Sequence, residues 1–474
     1  MFWESVNAWY DKARGIALLS LPFLGFGLIC RWYALVLALG LDGSATFLHQ
    51  GALTVNSFTE CGFLLVLVVL ARRFAPLYRR GMFVVGSAVV LSCGTLVAFL
   101  GTLAWPSPVL VVCGEVLMAV GFTTLFLVWL ELYGCVAPMR IAIAYAASFV
   151  ICCAVWEALR QFEPPSSIII VFALPLVSIT MLIAGFRTVP ETHLPQRDSV
   201  RPSLASMGRL IAWIAILSFA FGIADGLMSS SLQEVSYLGR LLPNAIILAG
   251  VLFFRKVFDL GVIYRITLPL VIVGFLVLLL ADGNPVAAQF FLSAGSESFL
   301  ALAFIVVCCS AYRHRASAAY ACAIVFAVHA VFVRIGAVTS VVVLRAGAVD
   351  QGLPCGAIVV LAALVFAASI LVFRERDFYL QWGDVGITPA VASREGRLRD
   401  VVDALAAAAK LSARECDIAL LMARNLSNAD IASELFIAPG TVRTHVSRIY
   451  AKLEVHSRDE FLAVLQERGV DARA

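Results

Sequence analysis

The chain has 474 residues, of which 61% are hydrophobic and only 14% are charged. Soluble domains have roughly 45–50% apolar and about 25% charged residues, so this composition excludes an ordinary soluble protein and indicates a membrane protein. The formal net charge of +4 is too small to indicate a nucleic-acid-binding protein by itself.

About twelve apolar segments are long enough to cross a bilayer, which takes around 20 apolar residues per helix. They are predicted at 16–40, 51–71, 82–105, 109–132, 137–158, 167–187, 209–230, 240–254, 261–281, 286–311, 317–343 and 355–373. Arg31 interrupts the first segment, and Pro243 is expected to break the beginning of the eighth. The predicted fold class is all-α, with a polytopic transmembrane helix bundle followed by a small helical domain.

Lys and Arg alternate strongly between successive connections. One side carries most of them, namely Lys12, Arg14, Arg72, Arg73, Arg79, Arg80, Arg140, the residues from Arg187 to Arg209, Arg255, Lys256, Arg313, Arg315, Arg374 and Arg376. The other side carries only Arg160, Arg240 and Arg345. Because cytoplasmic loops are rich in Lys and Arg, both termini are predicted to be cytoplasmic and the chain to be a multi-pass protein of the cell membrane.

The segments divide six and six around the longest polar connection. The predicted halves are 1–187 and 209–373, with a central loop at 188–208, in a transmembrane bundle 1–373. Two six-helix halves with a central cytoplasmic loop resemble the major facilitator superfamily of transporters. The loop from Arg72-Arg73 to Arg79-Arg80-Gly81 keeps that family's basic residues without its Asp.

Charged residues inside the spans are costly in a membrane and are therefore candidate site residues. The ligand-binding candidates are Glu60, Glu115, Asp225, Arg265, Glu297 and Arg334. Two interpretations stay open: a cavity that binds a small molecule, with an Arg opposite its carboxylate, or structural pairs between neighbouring helices. His329 is predicted to be a hydrogen-bonded packing residue.

No pattern typical of an enzyme is found. The twelve Cys residues include no C-x-x-C pair or zinc-like spacing, and no Gly-rich phosphate loop or Ser-His-Asp pattern is present. We therefore expect no catalytic activity, no metal site and no cofactor.

Residues 374–410 are predicted to form a linker or coupling helix. Within it, Arg394 to Lys410 is a candidate helix with Val401, Val402 and Leu405 on one face. It either couples the membrane part to the C-terminal domain, or it is a plain linker.

Four short helices are predicted in 411–474. Ser412 and Glu415 form a capping box, Ser427 can cap the second helix, and Ser457 with Glu460 forms a second box. Pro439 suits the first position of the third helix, although Ala438 precedes it where a Ser-like cap is common. The third helix has a buried stripe of Val442, Val446, Ile449 and Leu453.

The outer face of the third helix carries the residue types that contact DNA in proteins. It carries Thr441, Arg443, Thr444, Ser447, Arg448 and Lys452, with His445 beside them. No acid occurs between Ala438 and Leu453. Arg and Lys donate to phosphates and guanine edges, and Ser and Thr hydroxyls can contact either. A short helix, a tight turn and a basic helix form a helix-turn-helix.

The stretch resembles the LuxR/NarL (FixJ-like) helix-turn-helix of bacterial transcription regulators. The matching residues are Leu411-Ser412-x-Arg414-Glu415, Leu426-Ser427-Asn428-x-x-Ile431-Ala432, Gly440-Thr441-Val442-Arg443-Thr444-His445-Val446-Ser447-x-Ile449, Lys452-Leu453 and Val455-x-Ser457-Arg458. The resemblance implies that Arg443, Thr444 and Ser447 face bases, that Thr441 and Lys452 hold phosphates, and that the fourth helix forms a homodimer. The full set of DNA-binding candidates is Thr441, Arg443, Thr444, His445, Ser447, Arg448, Lys452, Ser427 and Asn428.

Together these features predict a membrane-bound one-component transcription regulator of a bacterium. The membrane domain would sense a signal, a small molecule in the first instance, and the cytoplasmic domain would bind promoter DNA, with RNA polymerase as a further candidate partner. The alternatives are a secondary transporter with a regulatory DNA-binding tail, and a bundle that serves only as an anchor.

Overall fold

The protein is represented by a computed structural model, which describes residues 21–38, 55–136, 138–159, 166–195, 204–227, 233–253, 261–280, 285–314, 317–347, 356, 358–365, 367, 402, 405–406, 409, 411–423, 426–435 and 438–467. The chain divides into two compact units. The larger comprises Met1–Phe253 and Leu260–Gly383, and the smaller comprises Phe254–Asp259 and Asp384–Ala474.

The described part of the larger unit contains eleven long helices. They are α1 Gly25–Ala38, α2 Val55–Phe74, α3 Gly81–Phe99, α4 Pro108–Tyr133, α5 Pro138–Leu159, α6 Ser166–Thr188, α7 Leu204–Leu227, α8 Gln233–Phe253, α9 Gly261–Leu280, α10 Pro285–His314 and α11 Ala318–Gly347. They correspond in order to the first eleven predicted spans. Residues 358–365, inside the twelfth, are helical, and the rest of that span lies largely outside the described residues.

These helices have the length and composition of membrane spans. Within the described residues, six helices are long and apolar enough to cross a membrane, and five more contain shorter apolar stretches. The six are Val55–Phe74, Gly81–Ala104, Pro108–Tyr133, Ile168–Thr188, Val286–Tyr312 and Ala318–Arg345. An all-helical fold follows, because a helix satisfies every backbone polar group internally in lipid. The predicted fold class is confirmed.

Pro243 does not break the eighth span. Helix α8 begins at Gln233, ten residues before the proline, and continues through it to Phe253. The prediction of a short span that starts near 240 was therefore wrong. Proline is tolerated inside membrane helices because neighbouring groups satisfy the carbonyl that its missing N–H leaves free. Pro175 in α6 and Pro269 in α9 are accommodated in the same way.

The bundle contains an internal repeat of six helices. In the first half α1 packs on α5, α2 on α4, and α3 on α4. In the second half α7 packs on α11, α8 on α10, and α9 on α10, which are the same pairs advanced by six. Gly27 and Gly222 mark the α1–α5 and α7–α11 contacts, since a Cβ on either would lie 2.1 Å from a carbonyl oxygen of the facing helix. Such small residues let membrane helices approach closely.

The two halves meet mainly through four helices. Helix α2 packs on α11, and α5 packs on α8. The second contact is the first with the two halves exchanged, because α8 is the counterpart of α2 and α5 is the counterpart of α11. Two repeated six-helix halves would produce this pattern, while the limits predicted for the halves and for the central loop at 188–208 stay predictions.

The smaller unit is a compact four-helix domain: α12 Ala413–Ala423, α13 Asn428–Glu434, α14 Pro439–Leu453 and α15 Arg458–Glu467. Its core unites apolar side chains of all four helices, including Ile418, Ile431, Ile449 and Phe461. Of these, Ile449 belongs to the buried stripe that the sequence predicts for the third helix.

The predicted caps are present at all three helix starts. The Ser412 N–H donates to Glu415 Oε2 at 2.7 Å, and the Glu415 N–H donates to Ser412 Oγ at 3.3 Å. The Glu460 N–H donates to Ser457 Oγ at 3.1 Å, but Glu460 Oε2 accepts from the His456 N–H rather than from Ser457. In the second capping box, the Glu460 side chain therefore accepts from the residue before the N-cap instead of from the N-cap residue itself.

Part of the predicted linker contributes to the core of this domain. Val402 and Leu405, assigned from the sequence to one face of a linker helix, are buried with the side chains of α12 to α15. The remaining features predicted for 374–401 lie outside the described residues. The domain limits 374–410 and 411–474 remain predictions.

Candidate nucleic-acid interface and buried polar sites

Helix α14 presents a polar, basic face to solvent. Val442, Val446 and Ile449 are buried on its inner side. Five candidate DNA-binding residues are exposed on its outer side, namely Thr441, Arg443, Thr444, Ser447 and Arg448. A helix of this length and diameter fits the major groove of B-DNA, so side chains on one face can reach base edges while their neighbours contact phosphates.

The ends of α14 differ in how well they are capped. Ala438 at the N-terminus provides no side-chain cap, as its sequence predicts, and Pro439 occupies the first turn. The C-terminal cap is Glu454 in the left-handed conformation, with φ at 57°. Pro439 has no N–H, and the N–H groups of Thr441 and Val442 donate to the Ala438 carbonyl at 2.9 Å and 3.3 Å, so backbone bonds satisfy most of the first turn.

Two candidate residues on α14 have notable local contacts. The Thr444 hydroxyl donates to the Gly440 carbonyl at 3.1 Å, which fixes the orientation of its side chain. His445 is half-buried, and its Nδ1 atom has no hydrogen-bond partner among the described residues. His445 is therefore directed less outward than Arg443 and Ser447.

Lys452 has a protein partner that the sequence did not reveal. Its Nζ donates to Glu415 Oε2 at 2.7 Å, and the Glu415 side chain is almost fully buried. The hydrogen bond from Lys452, followed by the one from the Ser412 N–H, lowers the pKa of Glu415 to about 2. Glu415 thus joins the start of α12 to the end of α14, while the predicted contact between Lys452 and phosphate stays a prediction.

Ser427 and Asn428 lie at the start of α13. The Ser427 hydroxyl donates to Asp430 Oδ2 at 2.6 Å and accepts from the Asp430 N–H at 3.2 Å. The hydrogen bond from Ser427 holds the pKa of Asp430 below its ordinary value. Asn428 is the first residue of α13. Both residues lie at the start of α13, and their predicted contact with DNA stays a prediction.

Two partly exposed arginines of the matched motif donate to carbonyl groups at helix ends. Arg414 Nη2 donates to the Leu435 carbonyl at 3.0 Å, beyond the end of α13. Arg458 Nη2 donates to the carbonyls of Met422 at 3.0 Å and Leu426 at 2.5 Å, at the end of α12. Cations at helix C-termini are favourable. Spacing alone could not assign these roles, because the partners lie 21 to 36 residues away.

In the membrane unit, Glu60 and Arg334 form an ion pair between α2 and α11. Arg334 Nη2 lies 3.1 Å from Glu60 Oε2, and both side chains are largely buried. This is the arrangement expected of a structural pair between neighbouring helices. Arg334 Nε nevertheless has no hydrogen-bond partner among the described residues, so the guanidinium is incompletely satisfied.

Glu297 and Glu115 are also held by protein groups. Glu297 Oε1 accepts from the Tyr145 hydroxyl and from Asn244 Nδ2, each at 3.2 Å, so it too links the halves. Glu115 Oε2 accepts from the Asn56 N–H at 3.1 Å near the start of α2. Asp225 and Arg265 belong to α7 and α9, and their side chains lie outside the described residues.

His329 has the contacts that the sequence interpretation expected of a packing residue. Its Nδ1 lies 2.9 Å from the Ser218 hydroxyl, and its ring stacks on Phe326 with centroids 6.5 Å apart.

Glu131 is a buried carboxylate that joins three parts of the bundle. It accepts from the backbone N–H groups of Leu77 at 3.1 Å and Tyr78 at 2.8 Å, in the connection between α2 and α3. It also accepts from the hydroxyl of Ser317, at the start of α11 in the other half. Sequence spacing alone could not identify these contacts, because the partners lie 53 to 186 residues away along the chain.

Comparison with known proteins identifies the smaller unit. Residues 409–465 match the family described as "Bacterial regulatory proteins, luxR family". The chain is 42% identical over 59 residues to a protein of Mycobacterium tuberculosis (strain ATCC 25618 / H37Rv) named as an HTH-type transcriptional regulator. It is 50% identical over 50 residues to the response regulator protein VraR of Staphylococcus aureus (strain NCTC 8325 / PS 47).

These matches are confined to the C-terminal unit. They cover 12% and 10% of this chain, and the chain spans only 7% and 24% of the length of those relatives. The C-terminal unit is a LuxR-family regulatory domain, as predicted, while the whole-protein activities of the relatives do not transfer.

The membrane unit resembles a solved transporter in fold. The human organic anion transporter MFSD10 (TETRAN) superposes with a TM-score of 0.55 over 75% of this chain and 98% of its own, at 13% identity. A variant of the Escherichia coli fucose:proton symporter FucP superposes with a TM-score of 0.44 over 76% of this chain and 98% of its own, also at 13% identity. The chain thus joins a bundle with the fold of MFSD10 to a LuxR-family domain.

Proposed function

We propose that this chain is a membrane-bound one-component transcription regulator. Its C-terminal domain binds promoter DNA as a homodimer, and its membrane bundle senses a signal and controls that binding. The observation that carries the proposal is the exposed basic face of α14, which contains no acid and belongs to a LuxR-family domain.

We assign base-edge contacts to Arg443, Thr444 and Ser447. We assign phosphate contacts to Thr441, Arg448 and Lys452. The edge of the proposed DNA interface is assigned to His445, Ser427 and Asn428. Arg443 is exposed, and its helix contains no acidic residue that would pair with it, which suits contact with a guanine edge. Since phosphate contacts dominate affinity and depend on salt, one domain alone binds weakly and two paired domains are needed. The fourth helix, α15, is assigned to that pairing, and RNA polymerase is the further partner at the promoter.

The DNA-binding test is chromatin immunoprecipitation of the full chain in its own cells. Arg443→Ala should abolish enrichment at the target promoters, because loss of a bidentate guanine contact costs about 1–3 kcal/mol per domain, and a dimer has two. Asp417→Asn is the control, since Asp417 is exposed and belongs to α12 rather than to α14. Equal enrichment of wild type and Arg443→Ala would refute the assignment.

The bundle is proposed to bind a small molecule between its halves. Two buried polar links already cross this interface, Glu60 with Arg334 and Glu297 with Tyr145. Glu60, Glu297 and Arg334 are therefore the proposed contacts of the ligand, with Glu115, Asp225 and Arg265 as further candidates. A ligand controls the DNA-binding domain only through its differential affinity for two states of the bundle. The loop charges support a cytoplasmic position of both termini in a bacterial cell.

Replacement of residues 1–373 by an unrelated membrane anchor tests the sensing role. We expect target transcription to become constant under conditions in which the wild-type chain changes it. Unaltered regulation in the anchored fusion would show that the bundle is only an anchor.

The second candidate function is secondary transport, which the fold of the bundle favours. The human structure with which it superposes over 75% of the chain is a transporter. Substrate uptake into proteoliposomes that is lost on Glu60→Gln or Glu297→Gln would establish transport as an additional or alternative activity.

A further inference from the structure

Four arginines bracket the short connection between α2 and α3. Arg72 and Arg73 end α2, and Arg79 and Arg80 precede α3, with all four exposed. Loop charge of this sign is ordinary at the cytoplasmic side of a membrane protein. The arrangement of these guanidinium groups, rather than their number, is informative.

Arg73 and Arg80 converge on one aromatic ring. The Cζ atom of Arg80 lies 4.6 Å from the centroid of Phe74, and that of Arg73 lies 5.7 Å from the same centroid. The two positive groups are therefore no more than about 10 Å apart, so a Debye length of about 8 Å at physiological ionic strength screens their repulsion only in part. Cation–π attraction to Phe74 orients both groups, but it leaves their mutual repulsion unrelieved.

A third guanidinium group, on the same connection, is held by Tyr78. Arg79 Nε donates to the Tyr78 hydroxyl at 3.0 Å, and Arg79 Cζ lies 5.7 Å from the centroid of that ring. Tyr78 in turn stacks on Phe186 of α6, with centroids 4.9 Å apart. Because Glu131 binds the backbone N–H groups of Leu77 and Tyr78, the loop is fixed to the bundle and the cluster is preorganised.

The cluster lacks a matching acid. None of the four arginines forms an ion pair with a carboxylate in the part of the chain that the structure describes. Among the described carboxylates, Glu131 interacts electrostatically with Arg79. Its oxygens, however, already accept hydrogen bonds from backbone N–H groups and from a hydroxyl. An external anion between Arg73 and Arg80 would remove the repulsion, and the planar guanidinium fork matches phosphate oxygens.

The position of the cluster indicates which kind of anion it would bind. It lies where two membrane spans, Val55–Phe74 and Gly81–Ala104, end beside each other. Apolar side chains next to it face outward, with Met82 75% and Val69 66% exposed, as expected of a surface covered by acyl chains. An anion at this depth, on an apolar outer wall, is the headgroup of a lipid, and basic groups at a membrane surface attract anionic lipids.

We infer that Arg73 and Arg80, arranged about Phe74 with Arg79 on the same connection, bind the phosphate headgroup of an anionic phospholipid. The lipid would tie the α2–α3 connection to the membrane surface. This connection also carries the backbone groups that Glu131 holds, so the bound lipid would stabilise the adjoining contact between the halves at Ser317. The inference does not depend on DNA binding or on signal sensing.

The test is thermal unfolding of the full chain in nanodiscs, with phosphatidylglycerol titrated into phosphatidylcholine. Wild type should unfold at a higher temperature as phosphatidylglycerol increases. In the double variant Arg73→Gln, Arg80→Gln, the mole fraction that gives half of this gain should rise at least roughly tenfold, which corresponds to the loss of one charge-assisted hydrogen bond. Each variant is compared with itself in pure phosphatidylcholine, so a change in its basal stability does not affect the comparison.

The matched control removes the same charge elsewhere. Arg140 and Arg187 are exposed on the predicted cytoplasmic side and stand over no aromatic ring in the described structure. Arg140→Gln, Arg187→Gln should respond to phosphatidylglycerol like wild type. Equal loss in both double variants would mean diffuse charge attraction and would overturn the site. So would a wild type indifferent to phosphatidylglycerol, or a gain fully reproduced by inorganic phosphate in pure phosphatidylcholine, which would identify a free anion instead of a lipid.

Discussion

Glu415 acts at two helix ends of the C-terminal domain at once. It completes the cap of α12 by accepting from the Ser412 N–H, and it binds Lys452 near the end of α14. The cap was predictable, because Ser and Glu three residues apart before an apolar stripe are typical of a helix start. The ion pair was not, since Lys452 is 37 residues away and only packing of α12 on α14 brings the two groups together.

The Glu415 site predicts a pH-dependent stability of this domain. Because the folded-state pKa is lowered from 4.5 to about 2, the ionised carboxylate stabilises the fold above about pH 4.5. That contribution is lost progressively as the pH falls from about 4.5 to about 2. Glu415→Gln should therefore cost about 1–3 kcal/mol at pH 7, from the loss of charge-assisted bonds, and much less near pH 2.

Hydrogen exchange of α12 and α14 amides in the full chain measures this effect. The variant and wild type are compared at the same pH, so that intrinsic exchange rates cancel. Asp417→Asn removes the same charge from an exposed position of α12 and should change exchange little. A Glu415→Gln effect as large at pH 2.5 as at pH 7 would show that the carboxylate charge is not what stabilises the domain.

At the scale of elements, the apolar runs predicted eleven helices close to their observed limits, and the error at Pro243 has a physical cause. Proline breaks an isolated helix, but within a bundle other groups satisfy the freed carbonyl. Helix pairing was beyond the sequence. The repeat that relates α1–α5 to α7–α11 depends on close contacts at Gly27 and Gly222, and no local pattern marks which helix faces each glycine.

The contact between α4 and α11 through Glu131 leads to a prediction about how the halves are held together. Glu131→Ala removes the acceptor for two backbone N–H groups and the Ser317 hydroxyl. Each buried donor left unsatisfied costs about 1–3 kcal/mol, so local opening should increase roughly tenfold or more. Cys308, which is buried and contacts the Leu130 carbonyl at 3.5 Å, lies beside this site and reports on opening.

Labelling of Cys308 by N-ethylmaleimide in membranes, followed by mass spectrometry, measures that opening. Glu131→Ala should label faster than wild type. Glu191→Gln, a change at an exposed acid in the connection after α6, should label at the wild-type rate. If Glu131→Ala leaves Cys308 protected, the carboxylate does not fasten the two halves.

At the scale of the whole molecule, the sequence indicated both parts and their order. The motif from Leu411 to Arg458 identified the LuxR-type domain because its residues are close in sequence and specify one local fold. The ligand candidates were less well determined. Glu60 and Arg334 are 274 residues apart, and their pairing arises only when the two halves of the bundle pack together.

The central claim is that the membrane bundle serves a gene regulator that acts through α14. The measurement that tests it most directly is genome-wide transcription in three strains: wild type, a deletion, and Arg443→Ala. We predict that Arg443→Ala, at equal protein level, reproduces the deletion on a small set of genes, because both remove the same DNA contact. If the deletion alters growth or uptake while Arg443→Ala changes no transcript, the account is contradicted and the chain is primarily a transporter.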